Sequence, residues 1–284
     1  MIKWATRNKL LSFAIVLVAL QVIVAVFAPW LGFQDPFAQI VVQRMKGPNP
    51  ANWLGTDQLG RDVLARIVHG YGTSLFTCVV AVALSLLVGG SLGMLAAYYG
   101  GWFDRIVMRL MDVLFAFPIM LLAIGVIAML GPSRWSAAIA IAIVYTPIFA
   151  RLLRGPALVI CESEYVNGAR AIGASDGRII FIHLLPNLAS VVLVQTSLLL
   201  SAAILVEASL SFLGLGAQPP IPSLGLMLSE GRNFLLLAPW PAVFAGVAIV
   251  FLSFGFNLLG DALRDTLDPR LAQKAHGLPK TIGS

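Results

Sequence analysis

Residues 162–187 read ESEYVNGARAIGASDGRIIFIHLLPN, a polar island between two long apolar segments. Glu162 and Glu164 fall in the first turn of a helix, beside Ser163 as N-cap, where negative charge meets the positive end of the helix dipole. That helix runs through Tyr165 and Ala169 to Ile172. Gly173 ends it, because a residue without a Cβ takes the left-handed conformation that closes a helix at little cost. Ser175 or Asp176 then caps a second helix carrying Ile179, Ile180 and Ile182, which Pro186 closes by its missing N–H and its ring. The expectation is an elbow of two helices around a glycine corner, held outside a bilayer by the flanking spans. Its shape suits a groove on another protein, or else a connector that covers helix ends.

The rest of the chain agrees with a membrane setting. Of 284 residues, 59% are hydrophobic and only 11% charged, with a mean hydropathy of +0.90, which excludes an ordinary water-soluble globule. Six stretches reach the ~20 apolar residues needed to cross a hydrocarbon core: 10–28, 74–98, 106–130, 135–152, 188–213 and 240–259. The fold class is therefore all-α, a polytopic membrane protein with six transmembrane helices. With the N-terminus inside, 13 Lys and Arg fall on the inner side and 6 on the outer, so both termini and the elbow are expected in the cytoplasm. The net charge of +6 follows from that asymmetry and calls for no nucleic acid. Four units result: 1–28, the N-terminus and first span; 29–73, an outer segment; 74–271, a core containing the elbow loop 153–187; and 272–284, a disordered tail. The first apolar segment is basic at its start but lacks a small-x-small cleavage pattern before Pro29 and Trp30, and reads as a retained span.

Within the outer segment, Asp57 is the expected N-cap of a short interfacial helix with Leu59, Val63 and Ile67 on one face, either a scaffold or a docking surface. Gly89, Gly90 and Gly93 in the second span have the GxxxG spacing of a close helix contact. The same stretch also reads Gly89-Gly-Ser91-Leu-Gly93, yet no span carries a histidine to activate Ser91, since His69, His183 and His276 lie outside all six. Pro118 should bend the third span about a third of the way across. Arg151 and Arg154 end the fourth span as interfacial anchors, and Gly155-Pro156 begins the loop. Glu207 is the least expected residue, a carboxylate within the fifth span. With Thr196 and Ser211 it marks a stripe of small or polar groups suited to a translocation path or to a tight helix contact. Cys78 and Cys161 are not placed for a disulfide. No nucleotide-binding GxxxxGK[ST], HExxH or paired His/Cys ligand set occurs, so neither cofactor nor metal is expected, and energy for uphill transport must come from elsewhere.

Gly173, followed after nine residues by His183, one further residue and Leu185-Pro186, resembles the cytoplasmic loop of bacterial ABC-importer permeases. Asn167-Gly168-Ala169 stands where that pattern has EAA, and His183 where it has Ile. The run Tyr165-Val166, Ala169-Arg170-Ala171, Gly173-Ala174-Ser175 and His183 to Asn187 is similar to the dipeptide/oligopeptide/nickel branch. So are GTDQLGRD from Gly55 to Asp62, LSFLGLG from Leu210 to Gly216 with Gln218-Pro-Pro-Ile-Pro-Ser223, and the ending from Gly255 to Leu271. This resemblance implies the type I importer permease fold and a solute path without enzymatic activity. It also implies partners: a second permease, two cytoplasmic ATPases and an extracytoplasmic solute-binding protein, in the inner membrane. It assigns ATPase coupling to Glu164, Tyr165, Ala169, Arg170, Ala171, Gly173, Ala174, Ser175, Asp176, Arg178, His183 and Pro186. Peptides come first as solute, with nickel complexes, opines, glutathione-like compounds and oligosaccharides open. The rival of another class is an ion-coupled secondary transporter using Glu207 and Asp112.

Overall fold

The computed structural model describes residues 9–30 and 34–267; the tail expected at 272–284 lies outside them. Among the described residues the regular structure is helical. It comprises α1 (Lys9–Phe27), α2 (Val63–Tyr99), α3 (Gly101–Phe115), α4 (Ile119–Leu130), α5 (Arg134–Cys161), α6 (Glu164–Ala171), α7 (Asp176–Phe212), α8 (Leu224–Arg232) and α9 (Trp240–Leu267). Five of these, α1, α2, α5, α7 and α9, are long and apolar enough to cross a bilayer alone, and α3 with α4, a pair bent by 92°, brings the number to six when counted as one span. The main core is the seam where α2, α4, α5, α7 and α9 meet, closed by Tyr71, Cys78, Ile127, Ile141, Phe149, Ile204 and Leu252. In α2, Gly89 and Gly93 lie against the Thr146 and Ala150 carbonyls of α5, so close that a Cβ does not fit at either position. α1 flanks α9, and the side-chain amide of its buried Gln21 donates to the Phe251 carbonyl at 2.7 Å.

Several expected boundaries move. α2 begins at Val63 and is continuous through the predicted second span, so there is no separate interfacial helix; Val63 and Ile67 are buried in its first turns. Its cap is Asp62, whose carboxylate accepts from Ala65 N at 2.7 Å, and not Asp57, which is occupied by two arginines. At 37 residues, about 55 Å at 1.5 Å per residue, α2 overshoots the bilayer core. Pro118 does far more than bend a span: α3 and α4 meet at 92°. A proline at the head of α4 fixes φ and disfavours helix in the residue before it, so Phe117 and Pro118 leave the ladder, while Ala116 still donates to the Asp112 carbonyl at 3.0 Å.

Two prolines expected to end helices do not. α5 continues through Gly155 and Pro156 to Cys161, and α7 runs through Pro186 without interruption. Ahead of Pro186, residues Ile179–Leu184 form a widened π-type stretch, and Pro186 itself sits in the first turn of the α-helical part that starts at Leu185. A helix start has no need of the N–H that proline lacks, and the wider coil moves the carbonyl with which the ring collides.

Candidate functional site

The elbow is built from buried residues outward. Val166 of α6 and Ile179, Ile180 and Leu184 of α7 pack against Leu153, Ala157 and Cys161 of α5 and Met94 and Ala97 of α2, a second core distinct from the main seam. Gly173 has φ +81° and turns the corner between α6 and α7, its N–H bonded to the Arg170 carbonyl and that of Ala174 to the Ala169 carbonyl. Ser163 and Ser175 occupy the two N-cap positions, but neither side chain caps; Ser163 Oγ donates back to the Ile160 carbonyl. Polar contacts fix the rest. Tyr98, from the end of α2, donates to Asp176 at 2.8 Å, and the Arg170 guanidinium lies 5.2 Å from the same ring. The rings of Tyr165 and His183 are 5.9 Å apart, with Asn187 donating to the His183 carbonyl at 2.6 Å.

Of the residues assigned to coupling, Glu164, Tyr165, Arg170, Ala171, Gly173, Ser175, Asp176, Arg178 and Pro186 are exposed, and Ala169, Ala174 and His183 half-buried. Sequence reasoning missed their apolar neighbours. Ile172 is 87% exposed at the corner, and Phe181 and Ile182 also face outward. The signal was available, since neither Phe181 nor Ile182 is needed to hold α7 to the core. Arg134 and Arg154 of α5 are twenty residues apart, about 30 Å along a helix, so the elbow beyond Cys161 lies past the hydrocarbon core.

At that same depth α3 crosses α5. Asp104 makes a forked pair with Arg154 at 2.5 and 2.6 Å, and Asp112 pairs with Arg151 at 2.6 Å. Eight residues of α3, about 12 Å, thus match three of α5, about 4.5 Å, which puts the two helices at a wide angle. The backbone break from Ala116 to Pro118 is exposed on the surface of the chain.

Two of the three residues of the predicted stripe meet, and the third, Thr196, stands apart. Glu207 is 1% exposed and Ser211 Oγ donates to its Oε1 at 2.7 Å, while Oε2 has no partner among the described residues. Ser211 lies directly beneath the loop between α7 and α8, against Gly216 and Gly225. Thr196, half-buried, keeps its hydroxyl inside the chain without a partner among the described residues. On another side of α7 an apolar groove of about 480 Å³ is lined by Met120, Leu205, Ser209, Phe212, Leu228 and Ile249, beside the α3–α4 break. Sequence reasoning did not find it, because it joins four helices distant in the chain.

A bundle of long apolar helices with an external elbow rooted in its own small core defines a polytopic membrane protein. Residues 89–273 match the family described as binding-protein-dependent transport system inner membrane component, and the chain belongs to that family. It is 44% identical over 269 residues to the dipeptide transport system permease protein DppC of Alkalihalophilus pseudofirmus, covering 95% of this chain and 88% of that one. To the glutathione transport system permease protein GsiD of Pectobacterium atrosepticum it is 49% identical over 226 residues, covering 80% and 75%. In fold it is similar to a chain of the inward-facing MetNI methionine ABC transporter, with a TM-score of 0.59 at 17% identity over 72% of this chain and 97% of that one. The chain is thus a permease subunit of an ABC importer.

Proposed function

We propose that this permease forms, with a second and different permease, the path by which an importer takes up dipeptides or glutathione-like peptides. What carries the solute class is the 44–49% identity to permeases named for those two solutes. In this reading both termini and the elbow lie in the cytoplasm, where one of two ATPases receives the elbow, and a solute-binding protein docks outside on 29–73. The ATPase groove takes the apolar corner at Ile172, flanked by Arg170, Arg178 and Glu164; hydrolysis occurs on that partner. The face toward the second permease and the path is the one with the α3–α4 break, where the exposed backbone of Ala116–Pro118 gains cover from a partner. Thr196, Glu207 and Ser211 belong to the path by shaping its wall from within, with the Glu207–Ser211 bond bracing successive turns of α7.

Ion-coupled transport through Glu207 and Asp112 loses its support, since Asp112 is paired with Arg151 in an exposed bridge and family membership points to ATP. The test is uptake into proteoliposomes holding the full complex with its binding protein and internal ATP. Labelled dipeptide or glutathione should accumulate, and nickel chelates and oligosaccharides should not. Accumulation of either control in place of the peptides would reassign the solute, and uptake without ATP would remove the importer reading.

A further inference from the structure

At the end of the bundle opposite the elbow, four charged side chains are shut in together. Asp57, Arg61 and Arg66 are 1%, 4% and 2% exposed. One Asp57 oxygen accepts from Arg61 Nε at 2.7 Å and from a terminal nitrogen of Arg66 at 2.5 Å; the other accepts the N–H groups of Leu59 and Arg61. Glu230 reaches in from α8, and its Oε2 accepts from Arg61 at 3.0 Å and from the same Arg66 nitrogen at 2.9 Å. Two guanidiniums meet two carboxylates. Buried pairs of this kind add little stability over apolar packing, so their value lies in selecting one arrangement of the parts they join.

The parts joined here are unequal. Asp57, Arg61 and Arg66 share one short stretch at the head of α2, whereas Glu230 arrives from 164 residues beyond Arg66 and its side chain is 19% exposed against 2–5% for the others. Without Glu230, one carboxylate would face two buried guanidiniums, and Arg66 Nε already lacks a partner among the described residues. Both ends of α8 are packed: Gly231, next to Glu230, lies against Ala242 of α9 with no room for a Cβ, and the start is fixed as firmly. Ser223 caps it through Leu226 N, and Gly225 sits against the Ala208 carbonyl with no room for a Cβ. Between these ends Leu228 lines the apolar groove.

We infer that Glu230 is the outlying arm of a buried charge clamp, with Asp57, Arg61 and Arg66 as its fixed jaw, and that the clamp sets where α8 stands beside the apolar groove. This rests on the transport reading above; the four are positioning residues and touch no solute. With Glu230 neutralised, α8 keeps its packing on α7 and α9 but loses its charged tie to the head of α2, and its position against the outer segment loosens.

Spin labels at Lys46→Cys and Asn233→Cys, both exposed, report the distance from the outer segment to the end of α8 in the assembled complex. Glu230→Gln keeps the shape and removes the charge. The expected result is a broadened distance distribution and a several-fold rise in ATP hydrolysis without solute, with less uptake per ATP, while Glu230→Asp stays near wild type. An unchanged distribution with unchanged coupling in Glu230→Gln overturns the clamp. Should that variant fail to assemble, Arg66→Met/Glu230→Met, which leaves the neutral Asp57–Arg61 pair, decides in its place by the same two readings. A wild-type complex that shows no solute-dependent hydrolysis would defeat the transport reading instead, and the distances would still judge the clamp.

Discussion

Glu207 is a carboxylic acid sealed inside a membrane helix bundle, where an unpaired charge is expensive and a bonded polar group is tolerated. Its bond from Ser211 joins successive turns of α7 beneath the loop that leads to α8, and Ser74 of α2 also faces the carboxylate. Glu207→Gln retains an oxygen for Ser211 and should leave stability within about 1 kcal/mol, while Glu207→Leu leaves the Ser211 hydroxyl without that acceptor, at a cost of about 1–3 kcal/mol. Thermal unfolding of the detergent-solubilised chain separates the two; equal midpoints would mean the bond contributes nothing. Gly93 poses the opposite case, a missing side chain. Its Cα faces the Ala150 carbonyl with no space for a methyl group, so Gly93→Ala should push α2 off α5 and destabilise by about 1–3 kcal/mol. Gly125→Ala, where nothing lies within 4 Å of the added atom, is the control and should not destabilise. If the two alanine variants melt together, the close contact of α2 with α5 is not a determinant of stability.

The elements divide by how local their causes are. The elbow was legible because its signals are local: Glu164 in the first turn of α6, a glycine that must take φ +81°, and Ile179 and Ile180 rooting α7, whereas Glu162 caps the end of α5 and Ile182 faces outward. Helix ends were not legible where proline was the cue. Proline forbids one hydrogen bond, and neighbouring turns accommodated that loss at Pro156 and Pro186. Asp57 was misread for a different reason, since the arginines that claim its carboxylate stand four and nine residues away, and the glutamate that completes the group lies far along the chain. The corner itself can be tested. Nothing lies near a Cβ built on Gly173, so Gly173→Val acts through backbone strain alone, about 1–3 kcal/mol. The buried root from Val166 to Leu188 should hold the protein in its membrane-inserted form while the exposed corner at Ile172 changes shape. Expected is a variant that inserts at wild-type level and no longer retains its ATPase on purification. Full retention with normal solute-stimulated hydrolysis would take the coupling role away from this corner.

For the molecule as a whole, orientation follows from charge and length together. Among the described residues eight Lys and Arg stand on the side of the elbow and six on the other, and Lys and Arg near spans stay in the cytoplasm. Helix lengths add a second constraint. From Arg134 to Arg154, α5 covers about one bilayer core, which leaves the elbow on one side and the Asp57 cluster with the start of α9 on the other. The two ends should therefore answer a membrane-impermeant thiol reagent from opposite faces. Ala51→Cys and Gly177→Cys are suitable reporters, because both positions are exposed and neither side chain takes part in a hydrogen bond that holds its surroundings. Cys78 and Cys161 are buried and should stay silent. In intact cells position 51 should label and position 177 should not; in inside-out vesicles the order should reverse. Labelling of 177 in intact cells would invert the chain in the membrane, and with it the sides assigned to the ATPase and to the solute-binding protein.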